Sequence, residues 1–303
     1  MNKYLIFRTD RIGDFLLSMI LIKSIKRNDK NSYIVVISSE KNYHYIKTFN
    51  LVDKVICLKK SYLSRFEVIL RLIKHKFKFS IIHDGKKRSK FINFFLNKNI
   101  TLTVNNDDIQ NSHFFKIKKI INSMGFKYDV TDLDILFDRN FSNKKINETK
   151  YIILHYDEKW SNKTYISKYA DIEPTKTQFI NFINNIRSKF DHKIIITTGI
   201  DTPEILKNII SEINDDKVEL ITGLNFVQLE KIVSHSKLLI SCHGAISHVA
   251  SAYNIKQIDI VDINTKNPYS NWTDHFRNYS SIHRESFLIL STKILNNDHF
   301  SQI

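Results

Sequence analysis

Five of the six glycines in this sequence follow short apolar runs, where a chain can bring its backbone close to a phosphate. They are Gly13, Gly85, Gly199, Gly223 and Gly244. Each apolar run is typical of a buried strand, and open α/β sheets bind ligands outside the carboxyl ends of their strands. Glycine lets backbone N–H groups approach an anion closely, although tight turns after strands use glycine without any ligand. Together the five positions favour a binding site for a nucleotide or a sugar phosphate.

The sequence lacks the well-known phosphate-binding and metal-binding motifs, and this restricts the kind of binding site. The sequence has neither G-x-G-x-x-G nor G-x-x-x-x-G-K-[ST], so neither a dinucleotide-binding Rossmann motif nor a P-loop is indicated. Cys57 and Cys242 lie in different halves of the chain. His243 and His248 have no further clustered ligands. We therefore predict no zinc or other metal site.

The elements that must position these glycines alternate along the chain. The run Tyr4–Phe7 predicts a strand and Phe15–Arg27 a helix, and the alternation continues to a strand at Ser80–His83. After the polar stretch Asn140–Lys150 it restarts with a strand at Tyr151–His155. Strand–helix alternation predicts parallel sheets covered by helices on both faces, and the restart predicts two such sheets.

Length and composition agree with two α/β domains. The 303 residues are about twice a typical domain of roughly 150. We place an N-terminal domain at 1–148 and a C-terminal domain at 149–303, and leave open whether the last helix packs back on the N-terminal domain. The small numbers of glycine (6) and proline (3) exclude collagen-like repeats and flexible or proline-rich linkers.

The net charge of +15 predicts an anionic partner, which could be nucleic acid, a membrane surface or a phosphorylated substrate. A nucleic-acid-binding protein is the weakest of these alternatives, because the sequence has no RNA-binding aromatic motif, zinc finger or basic arm. No apolar run reaches the length of a membrane span, and the N-terminal run is too short for a signal peptide. We expect a cytoplasmic protein that can touch the inner face of the membrane only peripherally.

Two segments carry a family resemblance. They read FRTDRIGD at 7–14 and LISCHGAISHVASA at 239–252, and IIHDG at 81–85 with Arg88 and Ser89 supports them. Together they resemble glycosyltransferase family 9, the lipopolysaccharide heptosyltransferases. The resemblance implies the GT-B fold, in which two Rossmann-like domains with parallel sheets face a central cleft. It also implies inverting, metal-independent transfer from a nucleotide sugar, with no cofactor besides that co-substrate.

Asp14 is the catalytic residue that the resemblance implies. An attacking sugar hydroxyl must lose a proton, and a carboxylate can take it. Asp14 directly follows Gly13, at the position of the family's proposed base. Taken alone, Asp14 would be an ordinary carboxylate in the first turn of a helix, favoured by the helix dipole.

The resemblance also implies a donor site in the C-terminal half, with lysines and backbone N–H groups on the diphosphate, an acidic residue on the ribose and an apolar residue at the base. The implied donor-binding residues are Lys159, Lys163, Gly199, Glu204, Leu224, His243, Gly244, Ala245, Ser247 and His248. His243 departs from the family's pattern, which has Asp before the glycine. It could instead direct positive charge toward a diphosphate.

Acceptor binding is expected in the N-terminal domain, at Arg8, Arg11, Gly13, Lys86 and Arg88. Convergent cations would orient an anionic glycolipid or oligosaccharide. The sequence therefore predicts transfer of a heptose-like sugar, with ADP-heptose as a candidate donor, to a lipopolysaccharide core or related glycan. The main alternative is a GT-B enzyme that uses another nucleotide sugar for O-antigen or capsule assembly.

Overall fold

The structure is a computed structural model that describes residues 1–104, 110–136, 151–160, 172–209, 212–213, 215–262 and 268–301. The chain divides into two compact units. The first comprises Met1–Asn140 and Asn267–His275, and the second Phe141–Lys266 and Phe276–Ile303. Residue 148, the boundary expected from the sequence, lies outside the described residues.

In the described part of the first unit, five parallel strands form a sheet of order β3-β2-β1-β4-β5. The strands are β1 Asn2–Phe7, β2 Ser32–Ser38, β3 Lys54–Cys57, β4 Phe77–Ile82 and β5 Lys98–Thr103. The last four residues of β1 are fully buried, as expected of a central strand covered on both faces. Its carboxyl end, at Phe7, pairs with Ile37 and Ile82 of its two neighbours.

In the described part of the second unit, six parallel strands have the order β11-β10-β9-β6-β7-β8. They are β6 Tyr151–His155, β7 Lys193–Thr197, β8 Val218–Ile221, β9 Leu238–Cys242, β10 Lys256–Val261 and β11 Tyr279–His283. The core joins residues such as Ile152, Ile240 and Ile258 to the helices that cover the sheet. The parallel α/β sheets predicted from the alternation are thus confirmed.

The helices follow the strands in the predicted order. They are α1 Ile12–Asn28, α2 Tyr43–Ile46, α3 Tyr62–Leu72, α4 Lys87–Phe94, α5 His113–Ser123, α6 Lys176–Lys189, α7 Glu204–Ile209, α8 Phe226–Val233, α9 Ala245–Ala252, α10 Ser270–Thr273, α11 Phe287–Leu295 and α12 Asp298–Ser301. The short α10 belongs to the first unit, whereas α11 and α12 belong to the second. No helix in the described ranges is long and apolar enough to cross a membrane.

The sequence pattern does not predict strands β5 and β11, and both lie at a sheet edge. Strand β5 is largely exposed, and β11 contains serine, tyrosine and histidine with one buried residue, Ile282. An edge strand needs less apolar surface than a central one, so its sequence carries a weaker signal. Helix α3 begins at Tyr62, because the Ser61 hydroxyl accepts a hydrogen bond from the Ser64 amide at 3.2 Å.

Candidate active site

The loop after β1 and the first turn of α1 line a pocket with a volume of about 460 Å³. Asp14 and Asp10 share this pocket with a group of cations. These are Arg11, Lys41, Lys60, Lys86 and Arg88. The pocket lies at the carboxyl end of the sheet, the edge where ligands of parallel α/β folds bind. A carboxylate surrounded by cations suits an anionic ligand that also has a proton to lose.

Asp14 is held at the start of α1 with its carboxylate partly exposed. Its Oδ2 accepts a hydrogen bond from the Arg11 amide at 3.2 Å, which forms one half of a capping box. Gly13 precedes it and is buried in the same turn. Helix geometry therefore fixes where the Asp14 carboxylate stands.

Arg8 is buried, and its guanidinium links residues around the pocket through hydrogen bonds. Nε donates to the Asp14 carbonyl at 2.7 Å and to the Ser18 hydroxyl at 2.8 Å. Nη1 donates to the His83 carbonyl at 3.1 Å and to Asp10 at 3.2 Å. These bonds make Arg8 a positioning residue for the helix that carries Asp14. Among the expected acceptor contacts, Arg11 is the exposed one.

Asp84 joins the loops that follow β1 and β4. Its Oδ2 accepts hydrogen bonds from the hydroxyls of Thr9 at 2.6 Å and Ser89 at 2.7 Å, and its Oδ1 accepts from the Lys86 amide at 3.1 Å. The cationic side chains of Lys86 and Arg88 both reach the Thr9 carbonyl, at 3.2 and 3.1 Å. A buried carboxylate thus places two expected acceptor residues at the pocket.

Two histidines that the sequence analysis did not select lie near this pocket. The ring of His113 packs against Trp272, with ring centroids 5.0 Å apart. Burial, with Arg8 adding, lowers the pKa of His113 to about 4, although Asp14 opposes the shift. Burial likewise lowers the pKa of His83, whose Nδ1 lies 2.8 Å from the Ser18 hydroxyl. Both rings are therefore neutral at physiological pH.

In the second unit, Lys159 lies at the amino end of α9. A Cβ built on Gly244, the N-cap residue, would stand 2.5 Å from Lys159 Nζ. Lys159 Nζ also donates to Asp157 at 3.0 Å. Burial disfavours the charged lysine, but the Asp157 carboxylate outweighs burial and raises the pKa of Lys159. A charged ammonium beside the N–H groups of a helix start can bind a phosphate.

His243 lies beside the same helix start and is oriented by a buried carboxylate. Its Nδ1 is 2.5 Å from Asp259 Oδ2, so we assign the Nδ1 proton to this hydrogen bond. Asp259 Oδ1 accepts from the Ser247 hydroxyl at 2.8 Å, and Tyr279 donates to Oδ2 at 3.3 Å. The Ser247 hydroxyl in turn accepts from the Gly244 amide at 3.3 Å. The Asp259 carboxylate therefore holds both His243 and Ser247 in place at the start of α9.

Four of the other expected donor residues lie on α9, after β7 and on α7. His248 is buried one turn into α9, where Phe276 packs edge-on against its ring at 4.9 Å, and Ala245 is the first residue of that helix. Gly199 follows β7 and lies so close to Glu158 that a Cβ would stand 2.4 Å from Oε2. Glu204 is exposed and pairs with Lys207 at 3.1 Å.

Leu224 is half-buried in the loop before α8. Lys163 lies outside the described residues. Trp160, close to both lysines in sequence, stacks on Tyr156 at 4.8 Å in the core and donates its Nε1 proton to the His155 carbonyl at 2.9 Å. Trp160 therefore fills the core beneath Lys159.

Sequence reasoning missed Asp259, Asp157 and Arg284. The signal for Asp259 was present, because a lone carboxylate inside an otherwise apolar strand requires buried partners. Arg284 is buried after β11 and donates to the Lys159 carbonyl at 2.5 Å and to the Cys242 sulfur at 2.7 Å. The described ranges contain no group of three or more His, Cys, Asp or Glu residues placed to hold a metal ion.

No family model matches the sequence, and no curated protein matches it. Solved structures match over nearly the whole chain. E. coli heptosyltransferase WaaC with ADP is 11% identical, with a TM-score of 0.71 over 96% of this chain and 97% of that chain. A glycosyltransferase family 9 protein from Veillonella parvula is 11% identical, with a TM-score of 0.68 over 100% and 93%.

A UDP-GlcNAc 2-epimerase from Methanocaldococcus jannaschii is 13% identical, with a TM-score of 0.58 over 99% of this chain and 94% of that chain. At such low identities the likeness establishes the fold alone. The GT-B fold implied by the sequence resemblance is confirmed, and this chain shares it with family 9 heptosyltransferases and with epimerases of nucleotide sugars.

Proposed function

We propose that this protein is an inverting, metal-independent glycosyltransferase that moves a heptose-like sugar from a nucleotide sugar to an anionic glycan acceptor. ADP-heptose is the proposed donor, and the core of a lipopolysaccharide is the proposed acceptor. The observation that carries the proposal is Asp14, a carboxylate among cations in one pocket of a chain with the fold of solved heptosyltransferases.

The proposed reaction divides its chemistry between the two units. In the first, Asp14 accepts the proton of the acceptor hydroxyl as that oxygen attacks the anomeric carbon. Arg11, Lys86 and Arg88 attract the acceptor's carboxylates or phosphates. The bond from the anomeric carbon to the phosphate oxygen breaks, and the configuration inverts because attack comes from the opposite face.

In the second unit, Lys159 and the N–H groups at the start of α9 stabilise the departing nucleoside diphosphate. His243, held by its Nδ1 hydrogen bond to Asp259, lies beside the same helix start. The residues proposed on the ribose and the base are Glu204 and Leu224. Glu204 is exposed and pairs with Lys207 at 3.1 Å, and ribose hydroxyls can reach its carboxylate from solvent.

A thermal-shift screen with ADP-, GDP-, UDP- and CMP-sugars tests the donor class. A ligand that binds the native state raises the melting temperature by mass action. We expect ADP-heptose to give the largest rise in melting temperature. In an activity assay, we then expect the protein to transfer the sugar to a lipopolysaccharide that lacks heptose. A larger shift with another nucleotide sugar would favour the alternative of O-antigen or capsule assembly, and no shift with any of them would refute a nucleotide-sugar enzyme.

The role of Asp14 is tested with Asp14→Asn. We expect transfer to fall by about 10² to 10⁴, the usual contribution of a general base, while the melting temperature and the donor-induced shift are retained. Asp10→Asn is the matched control, because Asp10 lies in the same pocket but is engaged by Arg8 at 3.2 Å and by Lys86. Transfer by Asp14→Asn within a few-fold of wild type, or an equal loss in both variants, contradicts the assignment.

The structural likeness to a UDP-GlcNAc 2-epimerase gives a second candidate function, which can be tested with the same purified protein. An epimerase inverts a sugar carbon without an acceptor, so product would form from UDP-GlcNAc alone. The higher TM-score of the heptosyltransferase, 0.71 against 0.58, favours transfer. Formation of an epimer without acceptor would replace the proposed function.

A further inference from the structure

Helix α3 has an apolar stripe that faces solvent, in addition to the buried face that packs on the sheet. Leu63 and Leu70 are 75% and 72% exposed, with Tyr62, Phe66 and Ile73 beside them. The residues 62, 66, 70 and 73 have the spacing of one helix face. The face with Val68 and Leu72 is buried, and Ile69 lies at its border with the exposed stripe.

The neighbouring helix α4 extends this surface, because it packs against α3. Phe94 is 77% exposed, and Phe91 and Phe95 are each more than two-fifths exposed. The ring centroids of Phe91 and Phe94 each lie 5.2 Å from that of Phe95. We call this surface the α3–α4 face, and it consists of Tyr62, Leu63, Phe66, Leu70, Ile73, Phe91, Phe94 and Phe95.

Positive charge is concentrated in the segment of the chain that carries this face, although Lys60, Lys86 and Arg88 of that segment line the Asp14 pocket. The segment 59–98 carries twelve lysines and arginines against two carboxylates, Glu67 and Asp84, so it holds +10 of the chain's net charge of +15. Asp84 is buried and its carboxylate is bonded to Thr9 and Ser89. The sequence analysis, which read +15 as a property of the whole chain, did not detect this concentration.

We propose that the α3–α4 face docks the first unit on an anionic lipid bilayer. A helix with aromatic and leucine side chains on one face and lysines or arginines beside them is the pattern of an interfacial membrane helix. A basic rim of Arg65, Arg71, Lys74 and Lys90, on or directly after the two helices, supplies the complementary charge for acidic headgroups, and the apolar stripe enters the acyl boundary. A nucleic acid would use the cations but would leave Leu63, Leu70 and Phe94 in water.

A second copy of this chain fits the face less well, because two rims of the same positive charge would meet across the interface. Docking does not require the proposed transfer reaction, so the two can fail separately. For a glycolipid acceptor it would hold the Asp14 pocket, which belongs to the same unit, near the membrane surface.

The test is co-sedimentation of the full chain with phosphatidylcholine vesicles and with vesicles in which about a third of the lipid is phosphatidylglycerol. We expect binding to the anionic vesicles alone, weakened at least about tenfold when NaCl rises from about 0.1 to about 0.5 M. Leu70→Ser and Phe94→Ser should each weaken binding about tenfold. Leu288→Ser is the matched control, since Leu288 is 63% exposed on α11 of the second unit, and it should bind as wild type.

The substituted side chains are exposed, so each variant should melt as wild type and keep its donor-induced shift. A charge variant, Lys74→Glu with Lys90→Glu, should reduce binding to anionic vesicles while leaving the apolar stripe intact. Equal binding to both kinds of vesicle, no binding to either, or an equal loss in Leu288→Ser overturns the proposal. So does self-association in analytical ultracentrifugation that Leu70→Ser abolishes, or retention on RNA that exceeds retention on vesicles.

Discussion

Replacing Gly244 by alanine tests whether Lys159 binds the diphosphate. The φ angle of Gly244 is −176°, an extended conformation that alanine adopts without strain. The new methyl group would stand 2.5 Å from Lys159 Nζ, whereas ordinary contacts begin near 3.4 Å. The lysine terminus must therefore move by about 1 Å from the start of α9, and because it is the flexible end of a side chain, the fold should tolerate this.

A hydrogen bond to a charged group contributes about 1.5–3 kcal/mol, so weakening one such contact should raise the Kd for ADP about tenfold. Isothermal titration calorimetry with ADP measures this directly. Lys159→Met should have an equal or larger effect. In the Lys159→Met background Gly244→Ala should add nothing, because it acts through the lysine. A Kd within two-fold of wild type, or additive effects in the double variant, would refute the reasoning.

Three further changes probe stability by urea denaturation. His243→Asp would place a carboxylate beside buried Asp259 and should cost about 3 kcal/mol, whereas the neutral His243→Asn should cost less. Arg27→Met should cost a similar amount, because Arg27 holds the fully buried Asp132 by two bonds of 2.9 Å; a cost below about 1 kcal/mol would contradict this. Burial lowers the pKa of His155 to about 4. Below about pH 6.5 the unfolded chain therefore binds more protons than the folded chain, and the free energy of unfolding decreases as the pH is lowered. The share of His155 in this loss is about 2 kcal/mol between pH 7 and pH 5, and the loss should shrink by that amount in His155→Gln, while His83 and His113 still contribute theirs.

The central part of the fold could be predicted from the sequence because central strands of parallel sheets are apolar runs. Tyr151–His155 has the expected bounds, and it is buried between layers of helices, as is most of Lys193–Thr197. The edges could not be predicted in this way. Strand β5 exposes most of its residues, and β11 joins the sheet through backbone pairing with β10, which leaves little trace in side-chain type.

At the candidate site, the sequence predicted which residues lie at strand ends. It did not predict as well which side chains hold those residues in place. Asp14 and Arg88, which follow strands β1 and β4, line one pocket. Arg8 was expected at an acceptor, but it is buried because its donors satisfy carbonyls and hydroxyls from two loops. Such roles depend on which loops the topology brings together, and one loop alone does not encode them.

The departure at His243 is explained by the strand next to it. In the second sheet, Asp259 pairs in register with Ser241, two residues before His243, so its carboxylate lies within reach of the His243 ring. A carboxylate at position 243 would face this buried charge at close range, and the two could not both remain ionised without a large cost. Histidine instead donates a hydrogen bond to it through Nδ1 and remains beside Lys159 at the start of α9. Beside position 243 the carboxylate is supplied by β10, where the family pattern has it after β9, and this supports the proposal that the diphosphate site is retained with altered contacts.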